Sequence, residues 1–150
     1  ARVVVSRRLD LPLMGQLART ASEVPLILCH GADADPALEQ TWEELGATLL
    51  PCAARGAQLD PADVLRQLAS HGLTRIFCEG GSALAASLIE ADLVDRLVGF
   101  TAGLVIGDEG LPGIGALGLA RLAEAPRFVR QSSQKIGPDL LHVWRRNAAE

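Results

Sequence analysis

Two Asp-Pro pairs, Asp35-Pro36 and Asp60-Pro61, each stand between a short apolar run and a stretch of helical spacing, and this recurrence constrains the fold more than any other feature. An Asp at a helix start accepts from first-turn N–H groups, and proline at the first helical position has its φ already set and loses no hydrogen bond. The spacing predicts one helix from Pro36 to about Leu45, closed by Gly46, and a second from Pro61 to Gly72 with Val64, Leu65 and Leu68 on one face. Val3–Val5, Pro25–Cys29, Ala47–Cys52 and Arg75–Cys78 read as strands between them. A third helix is expected after the Gly80-Gly81 turn, capped by Ser82 and running to Asp92.

Strands alternating with helices imply crossover connections, so the expected fold class is α/β with a mainly parallel sheet flanked by helices. The pattern changes after Asp95. Arg96–Ile106 is a long β-rich run, Gly107–Gly118 is a glycine-rich loop, and Phe128–Arg130 and Leu140–Trp144 flank the turn signal Gly137-Pro138-Asp139. These last strands predict a C-terminal antiparallel hairpin.

At 150 residues, the chain is expected to form a single domain. No apolar run approaches the roughly 18 residues that cross a bilayer, so no membrane partner is expected. The formal charge is −4, with Lys135 the one lysine, which disfavours a nucleic-acid surface. Cys29, Cys52 and Cys78 are widely spaced and beside apolar residues; three reduced, buried thiols in a cytoplasmic protein are expected, with no metal site.

The segment richest in chemistry is Cys78-Glu79-Gly80-Gly81-Ser82. Paired glycines let a phosphate approach the backbone, and a helix start offers unpaired N–H groups and a positive dipole end. The same glycines also suit a plain tight turn. Val5-Ser6-Arg7-Arg8 places a hydroxyl and two guanidiniums at a strand end, where Arg could select a phosphorylated ribose, favouring NADP over NAD, or simply line a solvated loop. Glu79 could orient a ligand or cap a backbone N–H, and His30 reads as structural. No residue is nominated as a catalytic acid. The apolar stretch Leu97–Ile106 and the hairpin offer an edge or face for a second subunit, so a homodimer is expected.

The stretch from Cys78-Glu-Gly-Gly-Ser through Leu93-Val94-Asp95 to Leu97, with Gly107 following a strand, resembles the reductase domain of the bifunctional riboflavin-biosynthesis deaminase/reductase. Arg2-Val-Val-Val-Ser6-Arg7-Arg8-Leu9 to Pro12 is also similar to that family's strand and loop. The resemblance spans essentially the whole chain and implies a dihydrofolate-reductase-like fold. It implies NADPH-dependent reduction of 5-amino-6-(5-phosphoribosylamino)uracil to the ribitylamino product.

By the same resemblance, Glu79 contacts the substrate, and Gly81, Ser82, Ala83, Leu84, Ala85, Ala86 and Ser87 wrap the NADP phosphates. Ser6 and Arg7 fall on the side of the cofactor's 2′-phosphate, although the family commonly has an acid where Ser6 stands. Phe100-Thr101-Ala102-Gly103 departs from an aromatic and Ala-Pro pattern. The family's opening Ser-Leu-Asp-Gly-like strand, its Trp and Arg region and its deaminase domain have no counterpart here. The expectation is therefore the C-terminal part of a reductase domain, lacking its N-terminal strand or strands and inactive unless these are supplied. Two other readings stay open: a reductase of the same fold acting on a pterin or other heterocycle, and a non-catalytic, self-associating fragment.

Overall fold

The computed structural model describes residues 1–147. They form two compact units, Ala1–Ile76 and the part from Phe77 onward.

The first unit is built on a parallel sheet of β1 (Arg2–Val5), β2 (Leu26–His30) and β3 (Thr48–Pro51), in that order. Every residue of β2 is buried, as befits a central parallel strand covered on both faces. Its alternation divides the core. Leu26 and Leu28 join Leu9, Ala18 and Trp42 in one apolar cluster, whereas Ile27 and Cys29 join Leu50, Cys52, Val64 and Leu68 in another. Helix α2 (Pro36–Glu44) supplies Trp42 to the first cluster, and α3 (Pro61–Ser70) supplies Val64 and Leu68 to the second.

Both helices start as the Asp-Pro pairs predict. Asp35 accepts from the Ala37 N–H at 2.9 Å, and Asp60 accepts from the Ala62 N–H at 3.1 Å. Gly46 follows α2 at φ +93°, and a Cβ there would lie 3.1 Å from the Ser22 Cα. The short helix α1 (Gln16–Arg19) and the two-residue strands β4 (Ala54–Arg55) and β5 (Gln58–Leu59) complete the unit. Their brevity leaves no periodicity to recognise in sequence.

The second unit contains α4 (Ser82–Glu90) and an antiparallel sheet of β6 (Arg96–Thr101), β7 (Phe128–Ile136) and β8 (Asp139–Arg146), ordered β6-β8-β7. The hairpin turns at Gly137, with φ +59°. It is longer than predicted, because the Gln131–Lys135 portion of β7 is exposed and polar and carries no hydrophobic alternation. Parallel sheet and antiparallel C-terminal hairpin are thus both present.

Several boundaries differ from the sequence reading. Arg75–Cys78 is not a strand: no ladder pairs with it among the described residues, and Ile76 and Phe77 are exposed. Cys78 is exposed with it, so two of the three thiols are buried rather than all. The cap of α4 is Gly81, not Ser82, and the helix stops at Glu90. Strand β6 ends at Thr101, opposite Leu140, because β8 has already reached the hairpin turn and offers no partner beyond. Leu104, Val105 and Ile106 are consequently exposed instead of forming the rest of a strand.

Candidate functional site

In the second unit, Glu79 and Gly80 lead into Gly81, whose extended backbone (φ −64°, ψ 169°) turns the chain into α4. Gly81 has no side chain to cap the helix, so the first-turn N–H groups of Ser82, Ala83 and Leu84 receive no side-chain acceptor from it. A Cβ at Gly81 would meet nothing within 4 Å, which leaves that flank of the helix start open to an incoming group. The side chains of Ala83 and Glu79 are exposed, Ser82, Leu84, Ala85 and Ser87 are half-buried, and Ala86 is buried. Ser87 is occupied locally, its Oγ donating to the Leu84 carbonyl at 2.9 Å.

The first turn of α4 is braced from a distant part of the sequence. The Gly115 N–H donates to the Ser82 carbonyl at 2.9 Å, and a Cβ on Gly115 would lie 3.1 Å from that same oxygen. A side chain at this position would crowd the Ser82 carbonyl, so glycine eases the close approach. The glycine-rich loop gave the only hint of this role in sequence.

In the first unit, Ser6 and Arg7 leave the carboxyl end of β1. Arg7 is held by two loops, the one after β2 and the turn between β4 and β5. Its Nε donates to Asp33 Oδ1 at 2.9 Å, its Nη1 donates to the Gly56 carbonyl at 2.9 Å, and its own carbonyl accepts from the Gly31 N–H at 2.8 Å. Gly31 has no room for a side chain, since a Cβ would fall 2.7 Å from Asp33 Oδ1 and 3.1 Å from Arg7 Cγ. Asp33 also has Arg8 Nε at 3.8 Å. The Arg7 hydrogen bond chiefly, with the charges of Arg7 and Arg8, lowers the Asp33 pKa below its ordinary value. Two guanidiniums around one carboxylate leave a net positive charge, with the Nη2 end of Arg7 outside both contacts. That is chemistry suited to a phosphate.

Sequence reasoning named Ser6 and Arg7 but missed Gly31, Asp33 and Gly56, which lie far along the chain and converge only in the fold. His30 is buried, with Nδ1 3.1 Å from the Gly31 carbonyl and 3.2 Å from Glu39 Oε1. Among the described residues, no group of three His, Cys, Asp or Glu side chains is placed to hold a metal ion.

The model of the RibD C-terminal domain matches residues 1–142, and the chain belongs to that family. The riboflavin biosynthesis protein RibD of Actinobacillus pleuropneumoniae is 32% identical over 141 residues, which is 93% of this chain and 37% of that protein. Among solved structures, a pyrimidine reductase-like protein of Corynebacterium diphtheriae superposes with a TM-score of 0.78 at 16% identity, covering 98% of this chain and 61% of the other. The diaminohydroxyphosphoribosylaminopyrimidine deaminase/5-amino-6-(5-phosphoribosylamino)uracil reductase of Thermotoga maritima gives 0.68 at 21% identity, covering 97% and 37%. The fold is the dihydrofolate-reductase-like α/β fold of these reductase domains. The chain spans little more than a third of the length of the RibD relative.

Proposed function

We propose that this chain is the C-terminal part of a reductase domain that reduces 5-amino-6-(5-phosphoribosylamino)uracil to its ribitylamino product with NADPH. The observation that carries the reading is the start of α4: a glutamate, a glycine pair and an uncapped first turn, braced by Gly115, inside the region matched by the family model.

The fit to a dinucleotide is physical as well as familial. The open flank of Gly81 and the uncapped N–H groups of Ser82, Ala83 and Leu84 suit phosphate oxygens, and the rest of the stretch to Ser87 keeps that turn in place. In the first unit, Ser6 and the preorganised Arg7 have the chemistry that recognises a 2′-phosphate. When bound, the nicotinamide supplies the hydride. The work of this chain is positioning: α4 holds phosphate and Glu79 orients the aminouracil substrate. The protein is further proposed to be cytoplasmic and homodimeric. Among the described residues, no helix is long and apolar enough to cross a membrane.

Steady-state kinetics of the intact protein with Glu79→Gln and Arg7→Ala test the assignment. Losing a charge-assisted contact worth about 1.5–3 kcal/mol corresponds to roughly 10- to 100-fold. Glu79→Gln is expected to raise KM for the aminouracil on that scale while KM for NADPH holds. Arg7→Ala is expected to raise KM for NADPH and leave use of NADH unchanged. Unaltered kinetics in both variants would overturn the reading.

A further inference from the structure

Asp33 stands where a carboxylate ordinarily selects against phosphate. β1 and β2 are paired in parallel, so their carboxyl ends lie side by side. Asp33 follows the end of β2, and Arg7 and Arg8 follow the end of β1. An acid at such a strand end accepts from a ribose 2′-hydroxyl, whereas an arginine accommodates a 2′-phosphate. This edge of the sheet carries both kinds of group, and the geometry between them decides which ribose it suits.

Both carboxylate oxygens face a guanidinium. Oδ1 accepts from Arg7 Nε at 2.9 Å, and Arg8 Nε stands 3.8 Å from Oδ2. The outer edges of the two arginines stay open: among the described residues, Nη2 of Arg7 and both Nη atoms of Arg8 have no hydrogen-bond partner. A phosphomonoester carries close to two negative charges and three acceptor oxygens, so it is best met by two cations with donors to spare.

The turn that carries Asp33 is fixed before any ligand arrives. The Gly31 N–H donates to the Arg7 carbonyl at 2.8 Å, and the Ala34 N–H donates to the Gly31 carbonyl at 3.1 Å. His30 Nδ1 lies between that same carbonyl and Glu39 Oε1 of α2. Asp33 reaches Arg7 because Gly31 has no side chain in the way. An arginine side chain has much rotamer freedom, and ordering it in advance removes that cost from binding.

We infer that Asp33 is a positioning residue for cofactor selection, holding Arg7 and Arg8 side by side as a two-guanidinium clamp on one phosphomonoester. It thereby favours the 2′-phosphorylated dinucleotide that a free carboxylate at this strand end would reject. The inference rests on the 2′-phosphate reading of Ser6 and Arg7 proposed above, and gives Asp33 and Arg8 a part in it. Asp33 acts in two opposed ways: its charge repels phosphate, and its hydrogen bond orders Arg7. The repulsion is screened, since the carboxylate is 41% exposed, so the ordering is the larger effect.

Isothermal titration of the intact protein with NADPH and with NADH tests this in Asp33→Ala, Asp33→Asn, Arg8→Ala, Arg7→Ala and the Arg7→Ala/Asp33→Ala double variant. Asp33→Ala is expected to lower the ratio of NADPH to NADH affinity by about threefold to tenfold, and Arg8→Ala by about threefold. Asp33→Asn keeps an oxygen that accepts from Arg7 Nε and removes the repelling charge. Its ratio is expected to stay within about twofold of the parent or to exceed it, which also shows that the site still folds. Added to Arg7→Ala, the loss of Asp33 is expected to lower the ratio by less than about twofold, because most of its effect runs through Arg7. An unchanged or raised ratio in Asp33→Ala, a loss in Asp33→Asn equal to that in Asp33→Ala, or an equal cost with and without Arg7 would overturn the positioning role. An unchanged ratio in Arg8→Ala would overturn the clamp. A parent that binds the two nucleotides equally would instead remove the 2′-phosphate reading itself, and this inference with it.

Discussion

Cys29 lies wholly inside the first unit, and burial first, then its neighbour Cys52, pushes its thiol from the ordinary 9.0 up to about 12. Burial likewise raises Cys52. Folding therefore disfavours the thiolate, and the unfolded chain gives up the Cys29 proton at lower pH. The stability this group contributes is fully present below pH 9 and is lost as pH rises towards 12. We predict that the melting temperature falls above pH 9 and that Cys29→Ala flattens this fall. With a thiol reagent at neutral pH, Cys78 should react fast, and Cys29 and Cys52 only on unfolding. The exposure of Cys78 was hidden in sequence because Phe77-Cys78 has a strand's composition, and only the fold shows that no neighbour pairs with it. Arg7 shows the converse. Its identity was legible at a strand end, but Asp33, which fixes its guanidinium, lies 26 residues away.

Among the elements, the best-read were those with a local chemical mark. Asp35-Pro36 and Asp60-Pro61 each announce a helix, and each carboxylate accepts the first-turn N–H it was expected to accept. Asp60→Ala should cost about 1 kcal/mol of stability in denaturant titration, with the m-value unchanged. Asp60 is the cleaner test because α3 presents Val64 and Leu68 to the core whichever residue caps it. The start of α4 was misplaced by a general preference: serine outranks glycine as a cap, yet here glycine takes the position and leaves the helix start open. Strand length was the least legible quantity. Leu104–Ile106 looks as β-rich as Leu97–Phe100, but a strand extends only as far as its partner does, and β8 ends at the hairpin. Gly115 belongs to the same class of long-range fact. We predict that Gly115→Ala, which forces a Cβ against the Ser82 carbonyl, costs about 1–3 kcal/mol, read as weakened NADPH binding together with a lower melting temperature.

At the scale of the whole molecule, the α/β class and the two kinds of sheet were readable because parallel and antiparallel regions differ in what separates their strands. Helices lie between the parallel strands of the first unit, whereas a glycine turn joins β7 and β8. The glutamate-glycine-glycine turn was readable as chemistry for the same reason: its residues are consecutive. What could not be read was the support around each candidate group, which the fold assembles from distant loops. The central claim is that this support serves NADPH, and isothermal titration of the intact protein with NADPH and with NADH addresses it most directly. NADPH is expected to bind at least about tenfold more tightly than NADH, the worth of one charge-assisted phosphate contact, with Arg7→Ala erasing most of the difference. Equal affinities for the two nucleotides, or no binding of either, would contradict it.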